Sequence, residues 1–242
     1  MNPALWGILL GLPAGWLVNV LADTIPPRLP LQTTWRWPFE RLGLLSTSAR
    51  PEVHAVELPT RRRYGFVWLV ALLLGGVAFA RLGMTPKALL VASEAWFFLS
   101  VAVVDLEHRL VLNRMILPAS PVLLVANLLL GEVTINSLLL GAAAGFGFFL
   151  LLALLAPGGM GMGDVKLAGL IGLTTGLSNV VVALFIAIFV GGIAGAAILI
   201  QNRLQHRPLR GQTMAYAPYL VMGVWVVLLD GIGLLHTYLE RL

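Results

Sequence analysis

The sequence predicts an all-α fold: a polytopic integral membrane protein with about eight transmembrane helices. Three observations predict it. Hydrophobic residues make up 59% of the 242-residue chain and charged residues only 11%, where a soluble domain carries about 25% charged residues. Mean hydropathy is +0.91. Apolar runs recur near the ~17–25 residues that a helix needs to cross a bilayer.

The first run, "ALWGILLGLPAGWLVNVLA" over 4–22, lacks a basic flank and a small-residue cleavage site, so it reads as a retained helix and not a signal peptide. "TIPPRLP" ends it, and a long polar stretch with an arginine run at 61–63 follows. The second run, 65–80, stops at "GMTPK"; the third, 88–104, contains Glu94 and ends on Asp105. The fourth and fifth cover 115–130 and 135–156, the latter stopped by "APGGMGMG". The sixth, 165–178, is short and glycine-rich and is expected to start inside the protein. The seventh, 180–200, ends before "RPLRG", and the eighth covers 215–236. Small residues at 141–147 and 191–197 suit close helix packing, and the seven tryptophans suit interfacial belts.

The absence of cysteine excludes disulfides, Cys-ligated zinc, iron–sulfur clusters and a thiol nucleophile. The net charge of +5 does not point to nucleic acid, because basic residues in a membrane protein mark its cytoplasmic loops. With the N-terminus outside, all but Arg81, Lys87 and Arg241 of the 16 Lys and Arg residues fall on the inner side. That split places "VVDLEHRLVLNRM" (103–115) and the glycine-rich loop on the cytoplasmic face.

Two carboxylates stand at ends of apolar runs on that face: Asp105 after the third and Asp164 before the sixth. An ionisable group at the membrane boundary is costly enough to suggest function. Two such acids sharing one proton supply a base for water and an acid for a peptide carbonyl, which is aspartic-protease chemistry. The plainer alternative is that each meets headgroups, caps a helix or pairs with Arg109 or Lys166. The glycines before Asp164 favour chemistry, since a glycine-rich loop lets an extended peptide approach closely. A phosphate loop fits less well, because "GGMGMGDVK" lacks the GxxxxGK[ST] spacing.

"GMGMGDVKL" (159–167) resembles the GxGD signature of intramembrane aspartyl proteases, and its surroundings resemble bacterial prepilin peptidases, or type IV leader peptidases. The resemblance extends to "GLPAGWLVNVL", "RRRYGFVW" and "AYAPYLVMG", in the family's order. It implies Asp105 and Asp164 as the catalytic pair, and Gly158, Gly159, Gly161, Gly163, Lys166 and Asn19 as substrate-binding residues. It implies cleavage of the leader from type IV prepilins or pseudopilins at the inner (cytoplasmic) membrane of a bacterium, the active site facing the cytoplasm. Proteolysis of this kind needs no cofactor; S-adenosylmethionine is implied only if the product is also N-methylated. The chain departs from the family in two places. The paired CxxC motifs that hold zinc in many members are missing, so no metal is expected, and Val111, Leu112 and Asn113 stand where Ile/Leu-Pro-Asp is usual.

The implied layout is a first transmembrane helix (1–22), a cysteine-free cytoplasmic loop (23–64) and a peptidase membrane domain (65–242). Glu94 reads as an interhelical hydrogen-bond partner ahead of a proton relay. His108 reads as a solvated loop histidine, Gln212 as a weak candidate for substrate binding, and Asp230 as a residue near the outer interface. Prepilins and membrane lipid are the expected partners, with no nucleic acid. Two other functions fit parts of the pattern: a proton- or cation-coupled transporter with a broken helix near 157–164, and a non-catalytic membrane protein of pilus or secretion assembly.

Overall fold

A computed structural model describes residues 2–24, 60–109, 111, 113–131, 133–155, 160–205 and 215–229. They form seven helices and no strand: α1 (Pro3–Thr24), α2 (Thr60–Leu82), α3 (Pro86–His108), α4 (Asn113–Leu130), α5 (Ile135–Leu155), α6 (Met162–Leu204) and α7 (Ala217–Leu228). Six of them are long and apolar enough to cross a membrane, and α7 is shorter. The chain is a multi-pass membrane protein.

The expected sixth and seventh segments, 165–178 and 180–200, both lie inside α6. Gly176 has φ 77° and ψ 174°, so the helix breaks there into arms over 162–175 and 177–204. Only glycine adopts that backbone without strain. A Cβ on Gly145 of α5 would lie 2.3 Å from the Ala168 carbonyl and 3.3 Å from Val180, so residues from both arms flank one point on α5. The arms therefore fold back on each other, and Ser137 Oγ of α5 accepts the Leu177 N–H freed at the turn, at 3.1 Å. The sixth and seventh apolar runs are thus two arms of one broken helix, joined with no loop. Two other boundaries also move: α1 reaches Thr24 and α2 starts at Thr60, so helix enters both ends of the expected 23–64 loop.

α3 is the central element. Of its apolar window 72% is buried, against 22–39% for the other candidate spans. Thr85 starts it by accepting the Ala88 N–H on its hydroxyl at 3.1 Å, with Pro86 in the first turn. Trp96 of α3 donates to the Ala71 carbonyl of α2 at 2.9 Å, and Trp225 of α7 donates to the Ala95 carbonyl of α3 at 3.1 Å. These two tryptophans therefore tie helices together in addition to any interfacial place. Glu94 accepts a hydrogen bond from Asn127 of α4, the interhelical partnership that its sequence context suggested.

α1 lies on α2 with backbone against backbone. A Cβ on Gly7 would sit 2.1 Å from the Gly75 carbonyl oxygen, a spacing only a glycine pair allows. The outward faces carry large apolar side chains such as Trp16, Phe66, Leu129 and Phe185, as expected for surfaces that meet lipid.

Candidate active site

Asp105 occupies the last turn of α3 and is buried. The helix stops four residues later, where Arg109 takes the left-handed conformation (φ 51°, ψ 38°) and its N–H closes onto the Asp105 carbonyl at 2.7 Å. A non-glycine residue pays roughly 1–2 kcal/mol for that geometry, and it turns the chain sharply toward α4.

Asp164 stands in the first turn of α6, also buried. Gly161 caps that helix with an extended backbone (φ −80°, ψ 144°). Its carbonyl accepts the Asp164 N–H at 3.1 Å, and its own amide hydrogen-bonds the Asp164 carboxylate. The Asp105 and Asp164 carboxylates are close enough to interact electrostatically. The structure therefore brings together the two acids that lie 59 residues apart in sequence.

A third element completes the site. The Ala217 N–H at the start of α7 donates to Asp105 Oδ2 at 3.0 Å, using one of the amides that a helix N-terminus leaves free. Next to it, Tyr216 packs against Phe149 and Tyr219, each at a centroid separation of 6.0 Å. Asp164 Oδ1 is buried and has no hydrogen-bond partner among the described residues.

Gly163 has a specific steric task. A Cβ there would come within 2.7 Å of Val111 Cβ and 3.0 Å of the Val111 carbonyl, so the connection after Asp105 rests directly on the helix start before Asp164. Lys166 faces the same connection: its Nζ donates to Asn113 Oδ1 at 2.8 Å. Gly158 and Gly159 lie outside the described residues. Asn19 is buried on α1, whose packing partners are α2 and α3, and its amide donates to its own helix at the Gly15 carbonyl, 2.9 Å away. His108 ends α3 and approaches Glu107 at 3.9 Å. Among the described residues no cluster of three His, Asp or Glu side chains is arranged to hold a metal ion.

Tyr216 and Ala217 were not singled out from the sequence for a role. Ala217 acts through a backbone amide, which leaves no trace in residue type, and the only available signal was the position of "AYAP" at the head of an apolar run on the same face.

Residues 92–196 match the type IV leader peptidase family, a range holding both aspartates. The chain is 32% identical to a prepilin leader peptidase/N-methyltransferase of Bacillus subtilis (strain 168), over 74% of this chain and 72% of that protein. The chain belongs to the type IV leader peptidase family. The Pseudomonas aeruginosa prepilin leader peptidase/N-methyltransferase is 26% identical across 96% of this chain and 92% of its own length. A protein of the same name from Aeromonas hydrophila is 28% identical over 84% of this chain and 71% of itself. No solved structure matches. As a member of the type IV leader peptidase family, the chain is a membrane peptidase. The matched range begins on α3 and ends within α6, so the contacts from α1, α2 and α7 are additions of the whole fold to that shared part.

Proposed function

We propose that the chain cleaves the leader from type IV prepilins or pseudopilins, with Asp105 and Asp164 as the catalytic dyad. The observation that carries this reading is the meeting of two buried aspartates from α3 and α6 on a face bordered by the GxGD glycines. In the reaction the pair shares one proton. One carboxylate removes a proton from water as it attacks the scissile carbonyl, and the other gives its proton to the carbonyl oxygen. Collapse of the tetrahedral intermediate returns a proton to the leaving amine and restores the shared-proton state. The Ala217 amide holds Asp105 Oδ2 in place through these steps.

The site faces the cytoplasm of a bacterial inner membrane in this reading. The support is the basic-residue asymmetry together with Asp23, Arg63, Glu107 and Lys166 lying at the same helix ends as the dyad. Among the described glycines, Gly161 and Gly163 border the substrate side of the site in this reading, and Lys166 contacts Asn113 beside it. The relatives' names carry a second activity, N-methylation, for which S-adenosylmethionine would be the methyl donor. On the dyad's face Asp23 and Glu107 are both engaged by Arg63, so these carboxylates do not fit a sulfonium.

Purified protein incubated with a synthetic prepilin tests the reading. Release of the leader is expected, and Asp105→Asn and Asp164→Asn should each lose at least about 100-fold in rate, the lower range for removing a general acid or base. Near-wild-type cleavage by either variant would refute the dyad. A transporter needs sealed vesicles to act, and an assembly protein releases nothing. For orientation, Thr47→Cys should label from the cytoplasm and Thr134→Cys from outside; labelling of both from one side refutes it.

A further inference from the structure

A polar cluster outside the dyad joins three helices at the dyad's end of the molecule. Arg63, in the first turn of α2, places Nη1 at 2.8 and 2.9 Å from the two carboxylate oxygens of Glu107 on α3. Its Nη2 donates to Asp23 Oδ1 at the end of α1, 2.6 Å away. Tyr64 donates its hydroxyl to the other Asp23 oxygen at 2.5 Å, and the guanidinium lies over the Tyr64 ring at 4.4 Å. The Arg63 side chain is only 10% exposed and that of Glu107 14%. A planar guanidinium reaching two carboxylates on different helices is a geometry that an ammonium cannot reproduce.

The placement of Glu107 gives this cluster its meaning. It lies two residues beyond Asp105 in the same helical turn, so at ~100° per residue the two side chains leave α3 on nearly opposite faces. Asp105 is held on one face by the Ala217 amide of α7, and Glu107 is held on the other by Arg63. The last turn of α3 is the end of a helix that stops at Arg109. Helix ends fray unless tied, and Arg63 ties this one.

We propose that Arg63 is a positioning residue: its fork onto Glu107 and Asp23 fixes the final turn of α3, and so aims Asp105 at Asp164. The inference rests on the dyad reading for its catalytic consequence, while its mechanical part is independent of any substrate. The Arg63 contacts lie on the far side of α3 from the reacting groups, so the effect is transmitted through helix geometry.

The test uses the full chain in detergent. Arg63→Ala is expected to lower kcat about tenfold or more while KM stays within about twofold, because displacing a reacting group slows chemistry without removing substrate contacts. Glu107→Ala should do the same, and the double variant should be no slower than the slower single one, as expected for two ends of one interaction. Arg63→Lys and Glu107→Gln, which keep a donor and an acceptor in place, should fall between these and wild type. They also serve if the alanine variants fail to fold. The chain has no cysteine, so spin labels on Leu106→Cys and Met222→Cys, both at exposed positions, report the end of α3 against α7 without any substrate. Their distance distribution should broaden in Arg63→Ala and Glu107→Ala and narrow again toward wild type in Arg63→Lys. Unchanged kcat, a loss wholly in KM, multiplied losses in the double variant or an unbroadened distribution would each overturn the proposal. Failure of the wild-type chain to cleave prepilin would instead overturn the dyad reading, and the label measurement would still decide whether Arg63 holds α3.

Discussion

Replacing Gly163 by alanine adds one methyl group at the closest backbone approach in the site. The new Cβ would lie 2.7 Å from Val111 Cβ and 3.0 Å from the Val111 carbonyl oxygen. Carbon atoms rest at about 3.5–4.0 Å, so the start of α6 and the connection after Asp105 must separate by roughly 1 Å. That motion acts on the gap between the aspartates, since Asp164 follows Gly163 directly and the Val111 connection follows Asp105. A misplacement of about 1 Å costs on the order of 100-fold in rate, or about 2.7 kcal/mol of barrier. Helix propensity runs the other way: alanine in place of a helical glycine favours the folded helix by up to about 1 kcal/mol. Gly163→Ala is thus expected to insert and melt like wild type while cleaving prepilin about 100-fold more slowly. Gly161→Ala is the graded control. Its Cβ would come no nearer than 3.3 Å to Asp164 Oδ2 and 3.9 Å to the Gly163 nitrogen, and its φ of −80° lies outside the glycine-favouring left-handed region. Gly147→Ala is the neutral one, with nothing within 4 Å among the described residues. Adding Val111→Gly to Gly163→Ala should return part of the lost rate by removing the nearer of the two contacts. Measured as kcat on purified variants, the order Gly147, Gly161, Gly163 from mildest to most severe is the expected result. Gly163→Ala within twofold of wild type, or a Gly161→Ala slower than it, would refute the steric account of this motif.

Glu94→Leu leaves Asn127 buried beside an apolar side chain, so it should lower thermal stability in detergent by about 1 kcal/mol while cleavage persists, and Glu94→Gln should preserve both. A Glu94→Gln that melts normally yet fails to cleave would place Glu94 in the reaction. Chelators should leave cleavage intact, because two carboxylates suffice for the chemistry and the chain offers no thiolate ligand. A loss reversed by added zinc would show that a metal takes part.

The parts of the fold legible in the sequence were those that water and lipid sort by composition. Apolar runs bounded by proline, glycine and charge marked each helix, and the acids Asp105 and Asp164 stood out because a carboxylate at the edge of an apolar run has few cheap explanations. The turn at Gly176 was less legible: glycines are frequent throughout the chain, and only the left-handed φ of this one makes it a turn. Arg63 was hidden by its neighbours. A run of three arginines reads as an orientation signal, and nothing in the run says that the third faces inward to carboxylates that lie 40 residues before it and 44 after. The eighth segment was visible as hydrophobicity, but its role at the site depends on the Ala217 amide, a group every residue except proline possesses.

These differences bear on how such a site can be tested. Side chains with rare chemistry can be removed one at a time, and the loss reads their role. The contacts that set the distance between the aspartates are of another kind: a backbone amide on Asp105, a carbonyl and amide of Gly161 on Asp164, and the bare backbone of Gly163 against Val111. None of these can be deleted by truncating a side chain, since the group belongs to the main chain. They are reached by adding atoms where glycine leaves none, or by loosening what holds the helix ends. The glycine series and the Arg63 variants are therefore complementary perturbations of one quantity. The first pushes the aspartates apart from between them, and the second releases α3 from behind. If geometry limits the reaction, both should depress kcat ahead of KM, and combining Gly163→Ala with Arg63→Ala should cost less than the product of the two, because a helix end already displaced has less left to lose.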